Sequence, residues 1–223
     1  MVPLSFKRCF LLVPLIVCLA GPARGVGYVE TFEDGINDDD WRLTTSNDPV
    51  IEPTGGNPDA YLYQEIDSAT PTWVPLSDTG AGHFIGDYAG LGVTGMSFDL
   101  NIFAGIGVPN RNVTLNIGST FGTGNYLKSV TAYYIGVDIS RLPRDWHTYS
   151  FKIDSLSPVI PPGWKVFRGN GHEGHEADWQ ALMQDVEWIG FELGTPGYFY
   201  PVWVWDLGID NIRIWERHLE PNE

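Results

Sequence analysis

The chain has 223 residues, with 13 Lys and Arg against 28 Asp and Glu and a formal charge of −15. Such acidity argues against nucleic acid and anionic membrane surfaces, which need a basic footprint; it is compatible with divalent cations and uncharged polymers. Glycine (26), proline (16) and aromatics (9 Trp, 10 Tyr, 11 Phe) are abundant, while stretches of 3.6-residue periodicity are nearly absent.

The first 25 residues read as a signal peptide. Lys7 and Arg8 precede the apolar run "CFLLVPLIVCLA" (9–20), too short to span a bilayer comfortably, and small residues follow, so that cleavage after Ala23 or Gly25 is expected. An uncleaved anchor is a weaker reading. So is a lipoprotein on Cys18, because Val17 stands where a small residue is needed. Cleavage removes Lys7, Arg8 and Arg24 and no acid, and takes both cysteines, Cys9 and Cys18. The remaining chain, roughly 200 residues, is long enough to bury a core without disulfides. No other stretch is apolar enough to cross a membrane. The expectation is one domain over 26–223, secreted, periplasmic or at a cell surface.

Short alternating segments then recur between turn residues. In chain order they are 27–33, 60–66, 95–103, 112–119, 131–139, 146–153, 187–194 and 207–215. Segment 95–103 puts Met96, Phe98, Leu100 and Ile102 on one face; segment 112–119 does the same with Val113, Leu115 and Ile117. One stretch breaks the pattern: "ADWQALMQDV" (177–186) has Trp179, Leu182, Met183 and Val186 at helical spacing, with Asp178 as a candidate N-cap. Eight or more strands and one short helix predict an all-β fold, an antiparallel sandwich of the jelly-roll kind with one packed and one wet face per sheet.

The order of "HFIGDYAGLGVTGMSFDLNIF" (83–103), "DWHTYSFKI", "PPGWKVF", "ADWQALMQDVEWIGFEL" and "GIDNIRI" resembles the laminin B (type IV) domain. That resemblance implies a jelly-roll sandwich without enzymatic activity. "VETFEDGINDDDW" (29–41) and "IDNIRI" (209–214) resemble the opening and closing strands of β-sandwich carbohydrate-binding modules. In those modules the two strands lie side by side and their carboxylates hold a structural calcium. The resemblance therefore implies Ca²⁺ bound by Glu33 and Asp210, with Asp34 and nearby carbonyls as additions; calcium takes six to eight such hard oxygens.

Several motifs suggest catalysis and fail on inspection. "DTGA" (78–81) matches half of an aspartic-protease dyad, but there is one triplet and the chemistry needs two. "QEIDSAT" (64–70) places Glu65 and Asp67 on one strand face, as in a jelly-roll glycosidase pattern, yet Thr70 stands where the proton donor belongs. "HEGHE" (172–176) spaces its histidines at i, i+3 rather than i, i+4, and Gly171 and Gly174 oppose a helix. His172 and His175 therefore read as a polar loop, with a surface metal as the lesser reading. "NVT" (112–114) is a glycosylation sequon inside a predicted strand.

The aromatics remain. In "YFYPVWVWDLG" (198–208), Trp203 and Trp205 share one face of an extended segment, with Tyr198 and Tyr200 before them. These four are the candidate ligand-binding residues; the competing reading buries the two tryptophans in the core. The expected function is a secreted, non-catalytic domain that binds a glycan or another extracellular polymer. The alternatives are an adhesive or structural surface protein without a small ligand, and a divergent glycoside hydrolase or lyase.

Overall fold

The computed structural model describes residues 24–44, 47–76, 82–105, 111–120, 129–139 and 144–217. Most of the expected signal segment, both cysteines and the "DTGA" triplet lie outside the described residues. No helix among the described residues is long and apolar enough to cross a membrane.

Two antiparallel sheets pack face to face as a β-sandwich. The first sheet runs β3 (Val50–Glu52), β4 (Tyr61–Ser68), β12 (Trp203–Arg217), β6 (Val93–Ala104) and β9 (His147–Lys152), with β1 (Arg24–Glu30) also paired to β12. The second runs β10 (Trp164–Arg168), β8 (Ser129–Asp138), β7 (Asn112–Thr120), β11 (Trp188–Leu193), β5 (Thr72–Pro75) and β2 (Trp41–Leu43). Each of the eight segments expected from alternation overlaps a strand. The strands that alternation does not single out, β2, β3, β5 and β10, are three to five residues long, too short for a period of two to stand out.

β12 is the spine of the first sheet. Along its length it pairs with β6; on its other side it pairs with β4 through Trp203–Ile209 and with β1 through Ile212–Arg217. Its inner face carries Trp205, Leu207 and Ile209, all buried. At Asn211 the backbone turns left-handed (φ 50°) and the register with β6 shifts. This bulge resets the alternation, so that Ile212 and Ile214 again point inward. Asn tolerates this conformation better than its apolar neighbours would.

Between the sheets the core is aromatic. Phe191 of β11 lies 4.0 Å from Phe98 of β6 and stacks on Trp41 at 5.4 Å. These rings are fully buried, so inter-sheet packing is the main apolar burial in the fold.

Among the described residues there are two helices rather than one. α1 (Tyr88–Leu91) is a single turn that buries Tyr88. α2 (Glu176–Gln184) buries Trp179, Leu182 and Met183 as their spacing predicts. Its N-cap is His175 instead of Asp178. Asp178 sits in the first turn, where it accepts from His175 N at 2.7 Å and pairs with Arg168 at 2.9 Å. A carboxylate there also favours the positive end of the helix.

Candidate functional site: an aromatic and acidic face on the first sheet

The outer face of the first sheet carries a cluster of rings. On β4, Leu62, Gln64 and Ile66 point inward and are buried, so Tyr61, Tyr63, Glu65 and Asp67 point outward. On β6, Phe98, Leu100 and Ile102 face the core, which leaves Asp99, Asn101 and Phe103 outside. Phe103 is the extra residue of a bulge: Asp206 pairs with Ala104 and Leu207 pairs with Ile102. Trp146 enters from the turn before β9, its Nε1 donating to Gly55 O at 2.8 Å.

These rings meet. Tyr61 lies 5.5 Å from Phe103 and 5.3 Å edge-on from Trp146; Phe103 lies 6.1 Å from Trp146 and 6.2 Å from Tyr63. Gly208 of β12 makes the arrangement possible. A Cβ there would stand 2.8 Å from Tyr61 Cδ2 and 2.9 Å from Phe103 Cε2, so two rings close over the strand only because it is glycine. Tyr61 is nearly covered, while Tyr63, Phe103 and Trp146 keep part of their surface in water.

Carboxylates flank the rings. Asp206 and Glu65 are direct cross-strand partners on this outer face. Burial, the charges of Asp206 and Glu65, and a hydrogen bond to Asp206 push the Tyr63 phenol upward. Glu52, opposite Tyr61 on β3, together with burial, does the same to Tyr61. Among the described residues neither Glu65 nor Asp206 has a basic side chain in ion-pair contact. The described arginine that reaches this edge is Arg144, and its guanidinium is given to Phe103 O at 3.1 Å and Gly105 O at 3.4 Å. The side-chain oxygen Oδ1 of Asn101, buried beside Gly208 and between Asp99 and Phe103 along β6, has no hydrogen-bond partner.

The four expected stacking residues lie elsewhere. Trp205 is 2 % exposed, with Nε1 bonded to Ser68 O at 3.0 Å. It fills the core, because the face it shares with Trp203 is the inner face of β12. Trp203 is half-buried against the same core. Tyr200 is buried and sandwiches the Arg111 guanidinium with Trp205, at 4.1 Å and 4.6 Å. Tyr198 is exposed, beside Phe199 at 96 % exposure. The four therefore make no single platform.

The expected calcium residues partly converge. Asp210, fully buried, accepts from Asn57 N at 2.8 Å and Asn211 N at 2.6 Å. Its cross-strand partner Asp99 accepts from Asn57 Nδ2, Asn211 Nδ2 and Thr148 Oγ1. Glu33 accepts from Asp59 N and Ala60 N of the same loop. Asp34 is exposed and makes a local turn bond to Ile36 N. No group of three or more His, Cys, Asp or Glu side chains among the described residues is placed to hold a metal. A calcium at Asp210 and Glu33 would thus draw on amide and backbone oxygens as well. The donor chemistry suits it, since Asp210 is a buried carboxylate without a countercharge. Burial first, with the charges of Asp99 and Glu33, pushes its pKa up to about 7 against two backbone hydrogen bonds that lower it.

A second buried carboxylate, Glu30, is also pushed up to about 7 by burial. It accepts from Phe32 N and Asp38 N and so ties down the loop after β1. Next to it Asp39 holds His83 through the backbone N at 2.8 Å and Nδ1 at 3.2 Å, and Tyr28 stacks on that imidazole at 3.6 Å.

The remaining motifs fall as follows. His172 lies in the turn after β10 and His175 caps α2, and among the described residues neither belongs to a group of three or more side chains placed to hold a metal. Glu65 and Asp67 do share the outer face of β4, and Thr70 lies beyond its end. Asn112 opens β7 and donates to Gly136 O.

No family model matches the chain, and no curated protein matches it. Several solved structures are similar to it, a carbohydrate-binding module and a laminin domain among them. A family 30 carbohydrate-binding module of a cellulosomal cellulase of Clostridium thermocellum has 14% sequence identity and a TM-score of 0.45, covering 86% of this chain and 92% of the module. The L4b domain of human laminin alpha-2 has 12% identity and a TM-score of 0.39, covering 66% of this chain and 70% of that domain.

Glu30 and Asp210 give the domain an unusual pH response. In the folded protein both are pushed up to about 7, well above the usual carboxylate range. Their folded forms hold protons that the unfolded chain has released, so stability falls as pH rises from about 4 to about 7. Asp178, held below the usual carboxylate range by its hydrogen bond to Arg168, acts oppositely, at pH values below this window. Denaturant midpoints across that range should decline with rising pH, and less steeply in Asp210→Asn. A flat or rising profile contradicts the assignment.

Proposed function

We propose that this domain is a non-catalytic binding module for a glycan or another extracellular polymer, and that the outer face of the first sheet receives it. The observation that supports this is the cluster of Tyr61, Tyr63, Phe103 and Trp146 on a rigid strand surface, part of each of the last three still in water. Planar rings with a wet face offer the apolar side of a sugar ring a surface at little entropic cost. Carboxylates beside them accept from sugar hydroxyls. The family whose opening and closing strands the chain resembles binds carbohydrate, which agrees with the reading. Secretion is part of the proposal and rests on the N-terminal segment.

Calcium enters as a second element of the proposal. Glu33 and Asp210 would hold it, with Asp99 and loop 53–60 contributing oxygens, and the ion would supply the charge that buried Asp210 lacks. It would act first on stability by tying down loop 53–60, and through Gly55 O, which accepts from Trp146 Nε1, it would also steady one ring of the face. Thermal melts above pH 7 in calcium and in chelator test this. The midpoint should be higher with calcium, and Asp210→Asn should remove the difference; equal midpoints for the parent protein contradict the site.

The adhesive or structural reading finds its support in the tip formed by Tyr198, Phe199 and Val202, which are 59, 96 and 65 % exposed. The two readings separate by mutation. Trp146→Ala and Phe103→Ala should each weaken polysaccharide binding by at least about tenfold, read by affinity electrophoresis, while Phe199→Ala leaves it unchanged. Loss of binding with Phe199→Ala alone would move the site to the tip.

A further inference from the structure

We infer that the aromatic face is built for a ligand rich in hydrogen-bond donors and carrying positive charge, namely a polymer of amino sugars with free ammonium groups. The inference rests on the reading of this face as the glycan site and specifies its ligand.

The polar groups around the rings are acceptors. Asp206 and Glu65 face each other across β12 and β4, and like charges in that position repel. Among the described residues neither has a basic side chain in ion-pair contact. Asp67 continues the row along β4 and Glu52 stands across from Tyr61. Between the strands the buried Oδ1 of Asn101, outward-facing on β6 next to Gly208, lacks a donor. A buried acceptor without a partner is costly, and a bound ligand that presents N–H or O–H there removes the cost.

An ammonium group meets each of these conditions. It supplies donors to the Asn101 oxygen, offsets the Asp206–Glu65 repulsion, and is attracted to the faces of Tyr63 and Trp146. A neutral sugar satisfies the acceptors but leaves the charge pair. A uronate or sulfated polymer adds repulsion to it. Arg144, the cation at this edge, bonds backbone carbonyls and keeps its charge; it offsets one of the four carboxylates Glu52, Glu65, Asp67 and Asp206, so the face stays acidic.

Calorimetric titration of the full chain with three probes tests the inference: a β-1,4-glucosamine oligomer, a cello-oligosaccharide of equal length, and an oligogalacturonate. The glucosamine oligomer should bind about five- to tenfold more tightly than the neutral one at low salt. The gap should narrow as salt is added and close in Asp206→Asn and in Glu65→Gln, the second variant serving if the first disturbs the Tyr63 hydrogen bond. The uronate should bind weakest. Equal affinity for the glucosamine and neutral oligomers, with Trp146→Ala weakening both, would overturn the charge preference and leave the glycan face standing. Uronate binding as tight as glucosamine binding would overturn it too. No binding of any probe would remove the glycan face and the preference together.

Discussion

The structure depends on how one strand, β12, is shared. It pairs with β6 along its length, and on its other side it hands over from β4 to β1. The handover is possible because Asn211 leaves the extended region and takes a bulge. Without that reset the apolar residues of its second half, Ile212 and Ile214, would face water. The aromatic core between the sheets then has a continuous inner wall. The same strand carries Asp206, Gly208 and Asp210 on its outer side, between two irregularities in its pairing with β6. One of these pushes Phe103 over Gly208. The other turns Asn211 toward Asn57 and closes loop 53–60. The scaffold and the candidate site are therefore products of the same two bulges, which agrees with the tendency of bulges to re-aim side chains near functional surfaces.

The strand pattern was legible in sequence because a period of two is strong wherever one face is buried and the other wet. β4, β6, β7 and β9 could be read this way, as could the helical spacing of Trp179, Leu182 and Met183. What alternation could not supply was partnership. Nothing in "YFYPVWVWDLG" says which face of the segment points inward, and the two tryptophans fill the core because that face continues into Leu207 and Ile209. Phe103 carried a readable signal: it is an aromatic residue on the otherwise polar face of an alternating strand. Gly208 carried another, a glycine inside a strand, where it marks a close approach. Trp146 had none, since its neighbours Tyr61 and Phe103 are far away in the chain. The convergence of Glu33 and Asp210 upon one loop follows from the resemblance of their strands to a known pair, whereas Asp99 enters through the β6–β12 register, which no single segment encodes. The N-cap of α2 was misplaced because Asp178 suits both the cap and the first turn.

The motifs that suggested catalysis fall to packing or to position. His172 and His175 serve the turn and the cap before α2. Glu65 and Asp67 share the expected face but lie beside rings and not around a cleft, and the residue where an acid would be needed is Thr70. Under the proposed reading the charged face accepts hydrogen bonds from its ligand and repels anions, while the buried carboxyls of Asp210 and Glu30 make stability sensitive to pH.

The account places ligand on the outer face of the first sheet. Backbone amide shift mapping with a saturating glycan oligomer tests that placement most directly. The account predicts that the largest changes fall at residues 61–65, 101–105, 146 and 204–208. Changes confined to 195–202, or to the strands of the second sheet, would contradict it.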